Sequence, residues 1–450
     1  MGKKDSLRYV CNNCGAEYGT WSGKCNSCGE WNTLAEEAVL VTAKGTVSKK
    51  GSALKTSIIK DFSKTDDKNR MQCGIGDVDT VLGGGFVKGS ITLMAGQPGI
   101  GKSTLLLQIV AGLSDKNNVL YISGEESGHQ VGLRAERLSV ADKNIQLGSA
   151  TNAEDIARTI SSGNFDFVVI DSIQTLTSES VASVAGSVSQ ITNCAHLIIN
   201  VAKEVNTAVV LVGHVTKEGS IAGPKVLEHV VDTVLQLEGD RYGGFKILRS
   251  VKNRFGSTDE AGIFEMAENG LIQVENASEA LLSERQITDG SIVLATMEGS
   301  RPVLVEVQAL VNKTSYGYPK RASSGVELNR VNLLIAMLER RTKLNLSDQD
   351  IYINIVGGIK INDPGIDLAI CMAIGSAAKG LKLKENVVVY GEVGLSGEVR
   401  HVPFVEKRLA EAKKLGFTEA IGPKLRNSNK STILKPVPDV RTALNNYLKI

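Results

Sequence analysis

No stretch of this chain stays apolar long enough to cross a bilayer. Apolar runs such as FVVI at 167–170 and AVVLVG at 208–213 have the length of a strand. No apolar segment follows the N-terminus, so no secretory signal is read there, and the expected location is the cytoplasm, with no membrane partner. An excess of charge is also missing. Lys and Arg number 51 against 49 Asp and Glu, for a net charge of +2. A chain so balanced is not a polycation, and any grip on nucleic acid must come from local patches or from loops repeated in an oligomer. A disulfide framework is absent too. The seven cysteines are an odd number, four of them crowded into the first thirty positions and Cys73, Cys194 and Cys371 scattered. That is the pattern of metal sites and free thiols in a reducing compartment. Aromatic residues are only 4%, while 42% hydrophobic and 22% charged residues are ordinary for a globular protein. At 450 residues the chain is too long for one core.

The N-terminal segment YVCNNCGAEYGTWSGKCNSCGEW places Cys11, Cys14, Cys25 and Cys28 in two CxxC pairs separated by ten residues. Two residues between cysteines let one tight turn aim both thiolates at one metal, and the glycines after Cys14 and Cys28 suit that turn. Four sulfurs and no histidine predict a closed structural Zn²⁺ site rather than a redox pair. Trp21 and Trp31, the only tryptophans, fall in the same module. The text that follows, rich in Lys, Ser, Thr and Asp, reads as a linker. The expected division is a zinc module at 1–34, a linker at 35–70, an ATPase domain at 71–275 and a second α/β domain at 276–450.

SITLMAG-QPGIGKSTLLLQIVAGL gives a buried strand, a glycine loop and an apolar helix, the context a P-loop requires. The cradle for ATP and Mg²⁺ is Gly96, Gln97, Pro98, Gly99, Ile100, Gly101, Lys102, Ser103 and Thr104. Its amides and helix N-terminus attract phosphate, Lys102 meets the β- and γ-phosphates, and the Ser103 hydroxyl ligates Mg²⁺. FDFVVIDS predicts Asp171 at the carboxyl end of a core strand, where it joins the Mg²⁺ shell. NVLYISGEES reads as a second strand ending in Glu125-Glu126, with Glu125 the expected activator of water and Glu126 the alternative. His214, at the end of TAVVLVGH, reads either as a sensor of the γ-phosphate or as a structural histidine.

From Val169 to Arg241 the text resembles the RecA family, including its two DNA-contacting loops, here Ser178–Ser187 and Thr216–Pro224. Both are expected to order on a ligand, with Lys217 and Lys225 as phosphate partners. The pentad Lys252-Asn253-Arg254-Phe255-Gly256 resembles the KNRFG signature of the RadA (Sms) family of bacterial DNA-repair proteins, whose order of modules this chain follows. In the RecA family the equivalent bases reach the neighbouring subunit's γ-phosphate, so the resemblance implies that Lys252 and Arg254 are catalytic fingers. The stretch VVVYGEVGLSGEVRHVPFVEKRLAEAKKLGF resembles the proteolytic domain of Lon-type proteases. At the serine nucleophile's position stands Ile366, and at the lysine's Glu406, with Lys407 adjacent, so no acyl-enzyme can form. Ser376 and Ser396 are serines by composition only. In NKTSYGYPKRASSG, Tyr316 and Tyr318 interleave with Lys313, Lys320 and Arg321, a mixture suited to stacking bases and meeting phosphates, and Arg340, Arg341 and Lys343 follow.

The implied fold is α/β: an N-terminal four-cysteine zinc ribbon, a RecA-like P-loop ATPase core and a Lon-protease-like C-terminal α/β domain. The implied function is a DNA-dependent, helicase-type ATPase of recombinational repair. It would form a hexameric ring, bind single-stranded and branched DNA, and promote branch migration with the RecA recombinase. A Lon-type ATP-dependent protease and a nucleotide-switched scaffold without motor action are the alternatives.

Overall fold

The computed structural model describes residues 6–11, 14–39, 70–215, 221–222, 226–239, 244–315, 317–424 and 433–448. Three short strands, β1 (Ser6–Cys11), β2 (Glu17–Tyr18) and β3 (Leu34–Val39), form the N-terminal antiparallel sheet in the order β2-β1-β3. Its third strand carries the module past the expected boundary at residue 34, because Cys11 pairs with Leu34 and Ser6 with Val39.

The next strands are β4 (Ile91–Gly96), β5 (Val119–Ser123), β6 (Ile145–Ser149), β7 (Phe167–Asp171), β8 (Ala208–Val215), β9 (Ile221–Ala222), β10 (Thr233–Gly239), β11 (Phe245–Asn253), β12 (Ala261–Ala267) and β13 (Gly270–Gln273). They follow the path β13-β12-β11-β10-β4-β8-β7-β5-β6, with β9 on β8. From β10 to β6 the neighbours are parallel. All six residues of β4 and all five of β7 are buried, as a parallel sheet covered on both faces requires. Leu93, Ile122, Val168 and Val209 meet Ile156 and Ile198 of the covering helices Ala153–Ser162 and Val188–Glu204 in one core. Because every parallel strand ends on the same edge, Gly96, Ser123, Asp171 and His214 arrive there together.

The chain divides into two compact units, and the division falls within β11 and β12 rather than at one linker: residues 239–247 and 259–265 belong with 274–450. The second unit holds β14 (Ser291–Glu298), β15 (Arg301–Lys313), β16 (Arg321–Ser324), β17 (Gln349–Ile355), β18 (Val387–Val389), β19 (Glu392–Val393), β20 (Val399–Arg400), β21 (Glu419–Gly422) and β22 (Leu434–Pro436). Seven of these form a mixed sheet ordered β16-β17-β15-β14-β18-β21-β22. The helix Asp367–Lys379 is buried at ten successive positions from Asp367 to Ser376, so it is a core helix wrapped on all sides. Among the described residues no helix is long and apolar enough to cross a membrane.

Candidate nucleotide and metal sites

The loop after β4 closes on the helix Lys102–Leu113, whose N-cap is Gly101 at φ 115°, a left-handed conformation that favours glycine. A Cβ at Gly101 would also come within 2.8 Å of Met266 Cε. Lys102 is buried, and its ammonium donates to the carbonyls of Gly96 (2.8 Å) and Gln97 (3.1 Å) and approaches His214 Nδ1 at 3.2 Å. Burial pulls its pKa down to about 8 against the opposing pull of Asp171 and Glu125. An ammonium only donates, so Nδ1 of His214 accepts in this contact, which leaves Nε2–H to face Glu125. That nitrogen lies 3.2 Å from Glu125 Oε1, and the Ser172 hydroxyl donates to the same oxygen. The hydrogen bond from His214 leads the effects that hold Glu125 down to about 2, with Ser172 adding to it against burial. Glu126, by contrast, is committed to Arg134 at 2.5 Å. Of the two glutamates, only Glu125 faces the lysine of the loop through His214.

Asp171 ends β7 opposite Ser123, is buried, and accepts from the Tyr121 hydroxyl at 2.7 Å. No motif reading marked Tyr121. The only available signal was an aromatic two residues before the end of the strand that pairs with the aspartate. Ser103 and Thr104 occupy the first turn of the P-loop helix. The converging glycines, the lysine and Asp171 at one sheet edge fit a Mg²⁺-bound nucleotide phosphate.

The KNRFG pentad is not at this edge. Asp232, which precedes β10, donates its amide to Ile91 O (2.9 Å) and accepts from Ile91 N through Oδ2 (3.0 Å). Arg254 donates its amide to Asp232 O at 3.2 Å, and its guanidinium reaches Asp232 Oδ1 at 3.0 Å. Arg254 therefore hangs at the start of β4, and Gly96 is at its end. Five residues of strand separate them, roughly 16 Å at the usual rise. Lys252 is more deeply engaged: its ammonium donates to the carbonyls of Glu228 (2.7 Å), His229 (3.2 Å) and Val231 (2.7 Å) at the end of the helix Val226–Val230. Asn253 reaches Leu82 O at 3.4 Å, and Arg70 donates to Phe255 O at 2.7 Å, with Gly256 packed against Gly83.

The first of the two loops is tethered to the helix Val188–Glu204 through one side chain. Gln190, 2% exposed, donates to the carbonyls of Ser178, Val181 and Ser183 and accepts from Ser178 N, so residues 178–183 are pinned to a helix. Val184, the large apolar residue of this loop, is 79% exposed. Of the second loop only Ile221–Ala222 is described; Lys217 and Lys225 lie outside the described residues, as does Tyr316. Between β15 and β16, Tyr318 is 88% exposed, the Lys320 amide donates to Asp350, and Arg321 begins β16.

In the second unit, Ile366 ends a 3-10 turn, Pro364–Ile366, and is 3% exposed within the core. Ser376 is fully buried, donating to Leu381 O and accepting from Gly290 N, and Lys407 binds Ser300 O. Nothing at Ile366 can act as a nucleophile. Instead two ion pairs flank it. Arg408 meets Asp363 at 2.6 Å with both side chains buried, and Arg330 pairs with the fully buried Asp367. Burial pushes Asp363 upward, but Arg408 and three hydrogen bonds outweigh it and hold its pKa below the ordinary value.

The four ribbon sulfurs lie within 4.8 Å of one another, Cys11–Cys28 at 3.7 Å and Cys14–Cys25 at 3.5 Å. A Zn²⁺ bound at about 2.3 Å in a tetrahedron separates its sulfurs by about 3.8 Å, so the donor set fits. Both knuckles share one backbone pattern: Gly15 N donates to Cys11 O and Gly29 N to Cys25 O, each at 2.8 Å, with φ of 75° and 80°. Ser27 N donates to the Tyr18 hydroxyl at 2.9 Å, and that hydroxyl lies 3.2 Å from Cys25 Sγ, in place to donate to a zinc-bound thiolate. Tyr18→Phe is expected to weaken zinc retention by about 10- to 100-fold, the usual cost of losing an outer partner, in a chelator competition assay.

Residues 61–220 match the family described as an AAA domain, residues 9–36 a rubredoxin metal binding domain, and residues 324–426 subunit ChlI of Mg-chelatase. The sequence is 48% identical over 426 residues to DNA repair protein RadA of Bacillus subtilis, with 93% of each chain covered. It is 47% identical over 429 residues to DNA repair protein RadA of Listeria monocytogenes, covering 95% of this chain and 94% of that one. With the Aquifex aeolicus protein of the same name it shares 46% over 424 residues and 94% of each. Zinc ribbon, RecA-like ATPase core and Lon-like C-terminal domain thus stand in one chain, and the chain belongs to the RadA family of DNA repair proteins.

Proposed function

We propose that this protein is a DNA-stimulated ATP hydrolase that works as an oligomeric ring, hydrolysing ATP between subunits to move single-stranded or branched DNA. The observation that carries the reading is the separation of Arg254 from its own P-loop by the length of β4. A guanidinium so placed cannot reach its own γ-phosphate, and it serves a neighbour's. Within one subunit, Lys102 and Ser103 hold the phosphates and Mg²⁺ with Asp171, and Glu125 orients water. Bound Mg²⁺ supplies charge neutralisation on the phosphates. With its pKa held down to about 2 in the resting site, Glu125 orients rather than deprotonates. Arriving phosphate draws Lys102 away from His214, which frees His214 to reorient toward the segment after β8. Branch migration with RecA, and DNA contacts at Lys217, Lys225, Tyr316, Lys320 and Arg321, extend the same reading. The ATPase rate is expected to rise severalfold with single-stranded DNA in a particle of hexameric mass. A monomer indifferent to DNA sinks the proposal.

Lys102 also sets a pH dependence. In the free site its pKa is about 8, and bound phosphate raises it. Binding therefore takes up a proton above pH 8. Nucleotide affinity is expected to be flat below pH 8 and to fall by up to about tenfold per unit above it. A fluorescent-nucleotide titration at several pH values checks this; an affinity constant to pH 9.5 overturns it.

A further inference from the structure

The residue that holds Asp171 carries no motif. We infer that Tyr121 is a positioning residue for the divalent metal: its hydroxyl commits one oxygen of the Asp171 carboxylate and so reserves the other for the metal shell. The inference rests on the reading of this edge as a Mg²⁺-nucleotide site.

The sheet register produces the contact. In the parallel pair β5/β7, Tyr121 faces Val169 and Ser123 faces Asp171. Alternation along a strand puts Tyr121 and Ser123 on one face and Asp171 on the same face of the neighbour. The phenol then extends along the strand direction to Asp171, where its hydroxyl donates to Oδ2 at 2.7 Å. Tyr121 is 1% exposed and Asp171 6%. A carboxylate so buried needs donors, and Tyr121 is the only donor to that side chain recorded among the described residues. Held by Oδ2, the carboxylate plane cannot swing to chelate through both oxygens. The other elements of the site secure different groups: Ser172 and His214 hold Glu125, and the loop carbonyls hold Lys102.

Tyr121→Phe keeps the ring and removes only the donor. The test is binding of a fluorescent ATP analogue to the full chain, first in EDTA and then titrated with Mg²⁺. The Mg²⁺ concentration for half-maximal enhancement is expected to rise about 10- to 100-fold, the range seen when an outer-shell partner of a metal is lost, with metal-free nucleotide affinity unchanged. In an Asp171→Asn background, Tyr121→Phe is expected to add no further loss, since the two act through one contact. A Mg²⁺ midpoint equal to the wild type overturns the inference. So does a drop in metal-free affinity of the same size, which would make Tyr121 a packing residue. If the unmodified protein binds nucleotide with no Mg²⁺ dependence at all, the reading of the site falls as well, and the two failures are told apart.

Discussion

Arg254→Ala is expected to lower DNA-stimulated ATP hydrolysis by about a thousandfold while nucleotide binding stays intact. The magnitude is that of an arginine finger supplied in trans, which neutralises charge as the γ-phosphoryl group departs. Its selectivity follows from geometry. Arg254 is half-exposed and tied to Asp232 at the opposite end of β4 from Gly96, so its loss leaves Lys102 and Asp171 undisturbed. Lys102→Ala is the complementary lesion, with a disabled cradle and an intact finger. Mixed particles containing both variants place an intact P-loop beside an intact finger at some interfaces, and hydrolysis is expected to recover there. Wild-type turnover by Arg254→Ala, or no recovery on mixing, removes the shared-site argument. Lys252 behaves differently, because all three donors of its ammonium are spent on carbonyls at the end of the helix Val226–Val230. Lys252→Ala therefore disturbs the chain between β8 and β10 before it disturbs catalysis.

The second large effect is on stability. Arg408→Ala is expected to destabilise the C-terminal unit by about 3–5 kcal/mol, because it strands the buried Asp363 carboxylate without its counter-charge. Arg408 also donates to Ala295 O and Pro403 O, so two carbonyls lose a partner with it. Denaturant unfolding followed by far-ultraviolet circular dichroism measures the loss. The pair Arg408→Met with Asp363→Asn should cost much less than the single change, since the stranded charge has gone. Equal losses for the single and double variants would show that packing, not charge, sets the cost. The same pair explains how this domain accommodates Ile366. The turn is held by ion pairs to Asp363 and Asp367, where a protease would keep a reactive hydroxyl.

Much of the site was legible in the residue types and their spacing. Cys11, Cys14, Cys25 and Cys28, and the P-loop from Gly96 to Thr104, announce themselves because their chemistry is local: residues a few positions apart share one turn, and its backbone geometry follows from their types. Asp171 could be placed at a strand end because apolar runs mark parallel strands, whereas Glu125, expected to end its strand, lies two residues beyond β5. Ile366 could be read as an absence, which needs only an alignment of motifs.

What sequence by itself determined, then, is which chemical groups are present and which are held within a turn or a helix start. How those groups stand against one another is set by tertiary contacts. The contact that links Glu125 to the P-loop lysine runs through His214, 89 residues away. The fixing of Asp171 depends on Tyr121, 50 residues earlier. The remoteness of Arg254 from its own nucleotide loop depends on the register of β4 beside β10 and on the Asp232 contacts that tie it there. Such contacts are set by how strands align in a sheet, where a shift of one residue turns each side chain to the other face, and no local pattern of residue types records that alignment.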